Sequence, residues 1–591
     1  MKKNLKKLYS IFICLAIITA TVTALPANAI AATTVSFADK IIFENDVLGE
    51  TSTYGLNNTG TEQEEPESLS VTLRFEESFS CDCGEITSDE ELSFHRNELK
   101  EYYKGLNERR IDALNLEDSS DISYSYYGPF IEYVYEDYNS FTADDYDTLA
   151  NKNPSDMTHV YIRNNYRVED NATIGTETRP EYDFTDALAD VGITNKTKHG
   201  SGIKIGILES KVPDNHSHLN SITYYEYYDP ADENIIDPYN TSESMARGSH
   251  SFYTSAILGG NYGIADDATL YFASLNGYSA LDCLNWFLDN DVNVINRSNG
   301  IKNGLYDSLA AFFDYFVAYT KTTIVCSAGN QRNDSSNQNL LLSPSTGANI
   351  ICVASNDSDK KVSSFSSYLM TNYWESQNCL LKPTLTAPGG SITNIANSNA
   401  IKSGTSFAAP FVTGIVSLLM EEFPSLKYAP DEIMTVLTSS CTPVLGQTME
   451  VDQDAGFGIV NYTYARQAYE NCSSFVLGGS FSYGSTITSL TFTALPSTKT
   501  TITATVLYNS TTNSPSSTTV SAPDVSYVCM EIYDYLGNLV NMSTTIGNIC
   551  YTSITNYSGY NSYTVYLYYY DTSSPTSFEW CAISHATIPI P

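Results

Sequence analysis

The sequence predicts an α/β domain with a mainly parallel sheet, preceded by a small α+β domain and followed by an all-β sandwich domain. Three observations support this prediction. Continuous apolar runs alternate with helical patterns through the middle of the chain. A β-α-β-β-α-β order comes before them, and short alternating runs rich in Ser, Thr and Tyr come after them. With 591 residues, the chain is also too long for one hydrophobic core, so several domains are expected.

Residues 1–29 have the features of a secretory signal peptide. A lysine-rich start is followed by the apolar run Leu8–Ile18 and by the small-x-small sequence Ala27–Ala29. We therefore expect a secreted, extracellular protein. The apolar run is too short to span a bilayer well, and no later stretch reaches about 18 apolar residues, so no membrane span is expected.

Composition excludes several classes of partner. The formal net charge is -37 and the sequence pI is about 4.3. Such an acidic surface repels nucleic acid and anionic membranes, so we expect neither as a partner. Residues 30–67 are polar and acidic and predict a poorly ordered linker.

Residues 68–180 predict a ferredoxin-like domain, the split βαβ sandwich. A helix is expected over Phe94–Leu116, where apolar residues recur at helical spacing, and a hairpin is expected around Gly128–Pro129. The remaining predicted elements are a strand at Ser68–Phe75, a short helix near Tyr146 and a strand at His159–Tyr166.

Residues 181–472 carry the α/β pattern, because apolar runs typical of buried parallel strands alternate with helical segments. The predicted strands are Ile203–Leu208, Leu270–Ala273, Val292–Ile295, Thr323–Cys326 and Ile350–Ala354. The predicted helices are Ser251–Leu258, Leu281–Leu288, Leu305–Tyr319 and Phe407–Met420. Cys326 and Cys352 lie inside such runs, so we expect them to pack as small hydrophobic residues.

Residues 473–591 predict the sandwich from short alternating runs. Asp534–Asn538 has the composition of a hairpin turn, and Ser510–Ala522 is a low-complexity loop. The strand candidates are Thr486–Leu495, Thr501–Tyr508, Tyr527–Tyr533, Ser562–Tyr570 and Phe578–Ile583.

The segment around Ser406 has the most specific pattern in the chain. It reads S-G-T-S-F-A-A-P from Ser403, followed by V-T-G at residues 412–414. Gly404 permits a tight turn, and Ser406 then opens a helix whose free N–H groups and dipole favour developing negative charge. A loop with an N-capping serine would also explain a lone Ser406, but not the ordered run of small residues after it.

This pattern resembles the nucleophile motif G-T-S-x-A-A-P-x-V-x-G of the subtilisin-like serine peptidases, the subtilases. The resemblance covers about residues 182–472 and implies a subtilisin-like three-layer fold there. It implies an acid, a histidine and a serine in that chain order. It also implies that residues 68–180 are a propeptide that assists folding and blocks the cleft of a zymogen.

The acid and the base match the family by position. The family pattern D-S-G-I-x-x-x-H-P-D-L aligns without a gap from Glu209, so Glu209 stands where aspartate is usual. The histidine motif has two registers. One places Arg247 at the catalytic position, but a guanidinium cannot act as a general base. The other register places His250 there, with Ser251 and Phe252 in place of the family's Gly-Thr. We therefore predict that Glu209 is the acid and His250 is the base.

Other segments resemble the oxyanion and substrate elements of subtilases. Ile324–Asn330 resembles the apolar strand that ends in A-G-N, so the Asn330 amide is expected to bind the oxyanion together with the Ser406 backbone N–H. V-I-N-R-S-N-G at residues 294–300 resembles the edge that pairs with the substrate backbone. The resemblance implies substrate contacts at Ser298, Asn299, Gly300, Ser327 and Gly329.

No cofactor is required by this chemistry, and no metal ligand is predicted. Many subtilases bind calcium through an acidic residue in H-P-D-L, where this chain has His218. Gly259 also runs almost directly into Gly263, which leaves no room for the usual calcium loop. The resemblance still allows a structural calcium ion, but the usual ligand pattern for it is absent.

The leading hypothesis is a secreted serine endopeptidase that acts as a monomer on protein or peptide substrates and binds its own propeptide. One alternative is a sedolisin-like acid peptidase, which His250 and Asn330 disfavour. Another is a catalytically impaired binding protein on the same scaffold, which the departures at Glu209 and Ser251–Phe252 favour. The C-terminal domain has no recognisable ligand signature.

Overall fold

The computed structural model describes 21 segments of the chain. These are residues 40–44, 68–76, 79, 86–115, 121–135, 143–165, 180–213, 218–219, 225–229, 234–236, 247–275, 279–302, 304, 306–332, 341–369, 382–447, 451–477, 484–507, 528–546, 548–569 and 579–590. The predicted signal peptide, His216 and the loop Ser510–Ala522 lie outside them.

The described residues form two compact units. The first takes in the described residues between 40 and 79 and between 99 and 165. The second takes in residues 86–98 and the described residues from 180 to 590.

The first unit contains a five-stranded sheet with the order β1-β5-β2-β4-β3. The element order is β-α-β-β-α-β after an additional edge strand, β1, which pairs parallel with β5. β1 lies in the stretch predicted as a linker, so that stretch is not entirely without structure. The strands are β1 (Ile41–Glu44), β2 (Ser68–Phe75), β3 (Asp121–Tyr124), β4 (Phe130–Tyr135) and β5 (Met157–Asn165). The helices are Ala143–Lys152 and the part of helix Asp89–Leu114 from Leu99 onward, the earlier part of that helix being counted in the second unit.

The second unit is built around an eight-stranded sheet with the order β10-β9-β12-β7-β13-β15-β17-β18. All neighbours are parallel except β10 and β9. This confirms the predicted α/β class with a mainly parallel sheet. The strands are β7 (Lys204–Glu209), β9 (Tyr225–Asp229), β10 (Asn234–Ile236), β12 (Thr269–Ser274), β13 (Val294–Arg297), β15 (Thr323–Ser327), β17 (Ile351–Asn356) and β18 (Leu385–Pro388).

Short paired strands connect the loops around this sheet. They are β6 (Tyr182–Asp183) with β19 (Ile392–Thr393), β8 (Val212–Pro213) with β11 (Arg247–Gly248), and β14 (Ile301–Lys302) with β16 (Leu342–Ser343).

The helices of this unit cover the sheet, and its core is apolar on both sides of the strands. Cys326 and Cys352 are fully buried free thiols at paired positions of β15 and β17. Burial raises the pKa of each to about 12, as expected of small hydrophobic residues. The helices are Phe184–Asp190, Ser249–Leu258, Ala280–Asp289, Ser308–Thr320, Thr405–Glu422, Pro430–Ser439 and Tyr462–Glu470, with 3-10 turns at Ile395–Asn397 and Pro424–Tyr428.

The C-terminal region is an antiparallel sandwich, as predicted. One sheet has the order β20-β28-β22-β26-β25 and the other β21-β27-β23-β24. Apolar residues of both sheets share one core. The strands are β20 (Ser473–Leu477), β21 (Ser485–Ala494), β22 (Thr498–Val506), β23 (Val528–Asp534), β24 (Leu539–Met542), β25 (Thr544–Ile546), β26 (Ile549–Asn556), β27 (Asn561–Tyr569) and β28 (Glu579–Pro589).

The sandwich packs directly on two helices of the α/β region. The Thr503 hydroxyl donates to the Thr435 carbonyl at 2.9 Å, and the Ser584 hydroxyl donates to the Ala468 carbonyl at 2.6 Å. Tyr551 of β26 belongs to the main core of the α/β region. The sandwich therefore contributes side chains to that core.

Sequence patterns missed the strand β26 (Ile549–Asn556). Nearly every residue of this strand is buried, on both faces, so the alternation that marks a half-buried strand is absent. The predicted turn Asp534–Asn538 is present, and the Asp534 carbonyl accepts the Gly537 N–H at 2.9 Å.

Gly414 allows helix Thr405–Glu422 to lie against the segment that follows helix Ser249–Leu258. A Cβ atom placed at Gly414 would lie 2.6 Å from Ile264 Cγ2 and 2.7 Å from its Cβ. Both atoms are near the branch point of a buried side chain and cannot move away easily.

We predict that Gly414→Ala destabilises the protein by about 1–3 kcal/mol, because the overpacking exceeds the gain in helix propensity. Thermal unfolding followed by circular dichroism measures it. Gly105→Ala is the matched control, since a Cβ there makes only an ordinary 3.5 Å contact with Arg109, and it should not lower the melting temperature. An unchanged melting temperature for Gly414→Ala would contradict the close approach.

Candidate active site

The carboxyl ends of three adjacent parallel strands converge at one edge of the main sheet. Glu209 ends β7, Arg297 ends β13 and Ser327 ends β15. The register pairs Arg297 with Leu208 and with Cys326, so the residues after each strand emerge side by side. Such an edge is where open α/β sheets bind ligands.

Glu209 and His250 lie together in a buried position. Nδ1 of His250 is 3.2 Å from Oε2 of Glu209, and the two residues are 4% and 1% exposed, respectively. A carboxylate buried this completely needs polar partners, because the loss of hydration is otherwise uncompensated. The imidazole supplies one such partner.

Local pairing sets this arrangement. The segment after Glu209 forms β8, which pairs parallel with β11 directly before His250. The hydroxyl of Ser251 then donates to the carbonyl of Lys211 at 2.5 Å. Both contacts join the loop after Glu209 to the start of the helix that carries His250. They therefore hold the two side chains at short range.

Thr254 is a third member of this group. Its hydroxyl donates to Oε1 of Glu209 at 3.0 Å and also lies 3.1 Å from the carbonyl of Ser251. Thr254 is one helical turn after His250, so both side chains project from the same face of one helix. The two oxygens of Glu209 thus face two residues of that helix, and the longer glutamate side chain has a fixed orientation.

Ser406 is 2% exposed in the first turn of helix Thr405–Glu422. Its hydroxyl donates to the carbonyl of Ser298 at 2.9 Å, and the hydroxyl of Ser298 donates to the carbonyl of Ser406 at 2.8 Å. The imidazole of His250 packs on the ring of Phe407, with 5.5 Å between ring centroids. The structure therefore brings the His250 imidazole beside Phe407, the residue that follows Ser406.

Pro410 explains the second of these hydrogen bonds. In a helix, the N–H of residue 410 would bind the carbonyl of Ser406, but proline has no N–H. The Ser298 hydroxyl occupies that carbonyl instead. The start of the serine helix is thus attached to the end of β13 by a reciprocal pair of hydrogen bonds.

Asn330 is oriented by Thr405. Oδ1 of Asn330 accepts the Thr405 N–H at 2.9 Å and the Thr405 hydroxyl at 3.0 Å. Since Oδ1 serves as the acceptor, the Nδ2 donor lies on the opposite side of the same amide group. The N–H of Gly329 also donates to the Thr405 hydroxyl at 3.0 Å, so the A-G-N turn and the serine turn are joined at three points.

The predicted substrate residues lie on two segments next to this turn. Ser298 and Asn299 follow β13, and Asn299 accepts from Nε of Arg297 at 3.1 Å. The carbonyl of Ser327 accepts the Ser345 hydroxyl at 2.6 Å. Gly329 has φ +113°, a backbone conformation that favours glycine.

The structure also locates Arg247, the alternative to His250, and His218, which stands at the usual calcium position. Arg247 lies in β11, whereas the His250 imidazole is the one beside Glu209. The His218 ring contacts the Tyr262 ring in a tilted arrangement, with 5.5 Å between centroids, and the His218 carbonyl accepts the Asn261 N–H. Among the described residues, no cluster of His, Cys, Asp and Glu has the geometry to hold a metal ion.

Comparison with protein families identifies the central region. The model of the subtilase family, Peptidase_S8, matches residues 200–458, which include Glu209, His250, Asn330 and Ser406. Residues 200–458 form a domain of the subtilase family. The domain is that of a serine-type endopeptidase, a hydrolase.

The central region is also similar in sequence to individual relatives. Subtilisin DY of Bacillus licheniformis is 28% identical over 280 residues, which cover 45% of this chain and 92% of the relative. Fervidolysin of Fervidobacterium pennivorans is 27% identical over 315 residues, 47% of this chain and 43% of the relative. The crystal structure of fervidolysin superposes with a TM-score of 0.47 at 16% identity, covering 87% of this chain and 70% of that one.

Sequence reasoning missed two side chains of the subtilase site. Thr254 could have been noticed as a hydroxyl one helical turn after His250. Thr405 belongs to the G-T-S motif, but its contacts with Asn330 and Gly329 depend on a turn 75 residues earlier in the chain. No local pattern reports such a contact.

We predict that Thr254→Val lowers kcat about tenfold or more with little change in KM, because it removes a hydrogen bond to a buried carboxylate worth about 1.5–3 kcal/mol and touches no substrate. Steady-state hydrolysis of a peptide amide measures both constants. Thr254→Ser keeps the hydroxyl and should restore most of kcat. Equal losses in the valine and serine variants would contradict a role for the hydroxyl.

Proposed function

We propose that this protein is a secreted serine endopeptidase, made as a zymogen, that hydrolyses peptide bonds through a Glu209–His250–Ser406 triad. The observation that carries the proposal is the buried contact between Glu209 and His250 beside the helix that begins at Ser406. The family match and the serine motif do not depend on a contact between Glu209 and His250, so neither of them supports Glu209 as a member of the triad.

Each residue has a defined role in this mechanism. His250 removes the Ser406 proton as Oγ attacks the substrate carbonyl carbon, and it returns that proton to the leaving amine. Glu209 stabilises the imidazolium formed in between. Asn330 and the Ser406 N–H donate to the oxyanion. Water, deprotonated by His250, then releases the acyl group from Ser406.

The Ser406 hydroxyl must turn to begin this cycle. Its proton is donated to the Ser298 carbonyl, so the proposed mechanism requires a rotation of the side chain that directs this proton to His250. Catalytic hydrogen bonds often form only when substrate is bound. A peptide that pairs with Ser298–Gly300 would approach this carbonyl and favour the turned position.

The zymogen part of the proposal is supported by residues 86–98. Within the second unit, Nε of Arg96 donates to the Thr320 carbonyl at 3.0 Å, and His95 lies 2.7 Å from the Tyr319 carbonyl. These carbonyls end helix Ser308–Thr320, where unsatisfied acceptors favour a cation. A segment that caps a catalytic-domain helix is suited to assist its folding.

Secretion is supported by the predicted signal peptide and by the relatives. In the described part of the chain, no helix has the length and apolar character needed to cross a membrane.

The second candidate is a catalytically impaired binding protein with the subtilase fold. The hydrogen bond from Ser406 to Ser298, which withdraws the hydroxyl from the base, favours it. A fluorophosphonate probe separates the two candidates, because it reacts only with an activated serine. Labelling of the mature protein, lost in Ser406→Ala, supports the peptidase, and absence of labelling supports the binding protein.

We predict that Ser406→Ala abolishes self-processing, because no other residue supplies the nucleophile. Expression in a protease-deficient host, followed by N-terminal sequencing of the secreted protein, measures it. The variant should retain the N-terminal region that the wild type removes. Normal maturation of the variant in that host would contradict the proposal.

We predict that Asn330→Ala lowers kcat about 10²–10³-fold, since one oxyanion donor is lost. Active-site titration and steady-state kinetics measure it. Asn330→Asp is a matched variant that keeps Oδ1 for Thr405 but cannot donate, so it should be equally impaired. An unchanged kcat in Asn330→Ala would exclude Asn330 from the oxyanion site.

A further inference from the structure

A relay of three hydrogen bonds joins the end of β13 to two points of the helix that carries Ser406. The Thr413 hydroxyl donates to Oδ1 of Asn296 at 3.0 Å, and Nδ2 of Asn296 donates to the Ser298 hydroxyl oxygen at 3.0 Å. The Ser298 hydroxyl in turn donates to the Ser406 carbonyl at 2.8 Å. Each of these four residues is at most 2% exposed, so bulk water does not compete for the relay.

The carboxamide of Asn296 sets the direction of the relay. Its Oδ1 can only accept a hydrogen bond, and its Nδ2 can only donate one. Because the Ser298 oxygen accepts from Nδ2, its single proton is left for the Ser406 carbonyl. An acceptor in place of Nδ2 would compete for that proton. The Ser406 carbonyl would then lose its donor, since Pro410 has no N–H to replace it.

The relay restrains the helix Thr405–Glu422 at two levels. Ser406 lies in the first turn, and Thr413 lies about 10 Å further along at the usual rise of about 1.5 Å per residue. Two contacts this far apart restrain both the position and the tilt of the helix relative to β13, whereas one contact restrains only the position. The subtilase serine motif leaves position 413 open, so the resemblance does not account for the second contact.

We propose that Asn296 and Thr413 are positioning residues for the peptidase reaction. They restrain the start of the helix, so that the hydroxyl and the N–H of Ser406 keep their places relative to His250 and Asn330. Both side chains are 0% exposed and therefore do not touch a substrate. The inference rests on the proposed peptidase function. Misplacement of a reacting group by about 1 Å can cost about 100-fold in rate, so loss of the relay should lower kcat and leave KM nearly unchanged.

The first test compares Thr413→Val with Thr413→Ser in steady-state hydrolysis of a peptide amide, with melting temperatures measured alongside. The valine keeps the shape of the side chain but loses the donor to Asn296, so kcat should fall about three- to tenfold with KM within about twofold of the wild type. The serine retains the hydroxyl and should restore most of kcat. An unchanged kcat in Thr413→Val, or equal losses in both variants, overturns the proposal.

Ser417→Ala is the matched control. The Thr413 hydroxyl also lies 3.2 Å from the Ala409 carbonyl, which is a contact within the helix. Ser417, one turn later, is fully buried and makes the same kind of contact with the Thr413 carbonyl at 2.8 Å. Ser417→Ala should therefore keep kcat unchanged. If it lowers kcat as much as Thr413→Val does, the effect comes from losing any buried hydroxyl of this helix, and the proposal is overturned.

The second test changes the centre of the relay. Asn296→Asp keeps the size of the side chain but cannot donate, so the Ser298 proton should turn to the carboxylate and kcat should fall about 10- to 100-fold. Combined with Thr413→Val, the loss in kcat should be smaller than the product of the two single losses, because both changes break one relay. Losses that multiply fully would show two independent effects and overturn the relay.

Crystal structures separate this proposal from the proposed function. The Ser406→Ala protein keeps the backbone carbonyl at position 406 and has no nucleophile. The Ser298 hydroxyl should donate to that carbonyl in Ser406→Ala, and to the introduced carboxylate when Asn296→Asp is added. If the wild type cleaves no peptide but this change of partner occurs, the peptidase function fails and the positioning by Asn296 stands. An unchanged partner for Ser298 in the double variant overturns the positioning.

Discussion

The buried contact between Glu209 and His250 is the constraint on which the rest of the site depends. An ionised carboxylate removed from water requires partners that are fixed in place, and His250 and Thr254 provide them from one face of one helix. That helix must therefore begin directly beside the end of β7. The β8–β11 pair and the hydrogen bond from Ser251 to Lys211 meet this requirement. The glutamate is accommodated because Thr254 holds its second oxygen.

The serine side of the site is organised by a different set of contacts. Thr405 joins the serine turn to Asn330 and Gly329, and Ser298 joins it to the end of β13. None of these contacts involves Glu209 or His250. Ser406 with Asn330 and His250 with Glu209 thus form two separately supported groups. They meet where the His250 imidazole packs on Phe407, while the Ser406 hydroxyl donates to the Ser298 carbonyl.

The same contacts that support the serine turn also shape the space beside it. The glycines at 300 and 329 permit close approach of the two segments, and Leu342 occupies what remains between them.

The sequence by itself determined the features that depend on neighbours in the chain. The apolar runs predicted the parallel strands, and the ordered small residues after Ser406 predicted the helix they form, because backbone preferences and periodicity act over a few residues. The strand β26 escaped because burial on both faces removes the alternation. Only the tertiary structure placed His250 against Glu209, brought Thr254 and Thr405 to their acceptors and set Leu342 between two glycines. These contacts join segments many residues apart, and which side chains meet depends on strand order and helix rotation, which no local pattern contains.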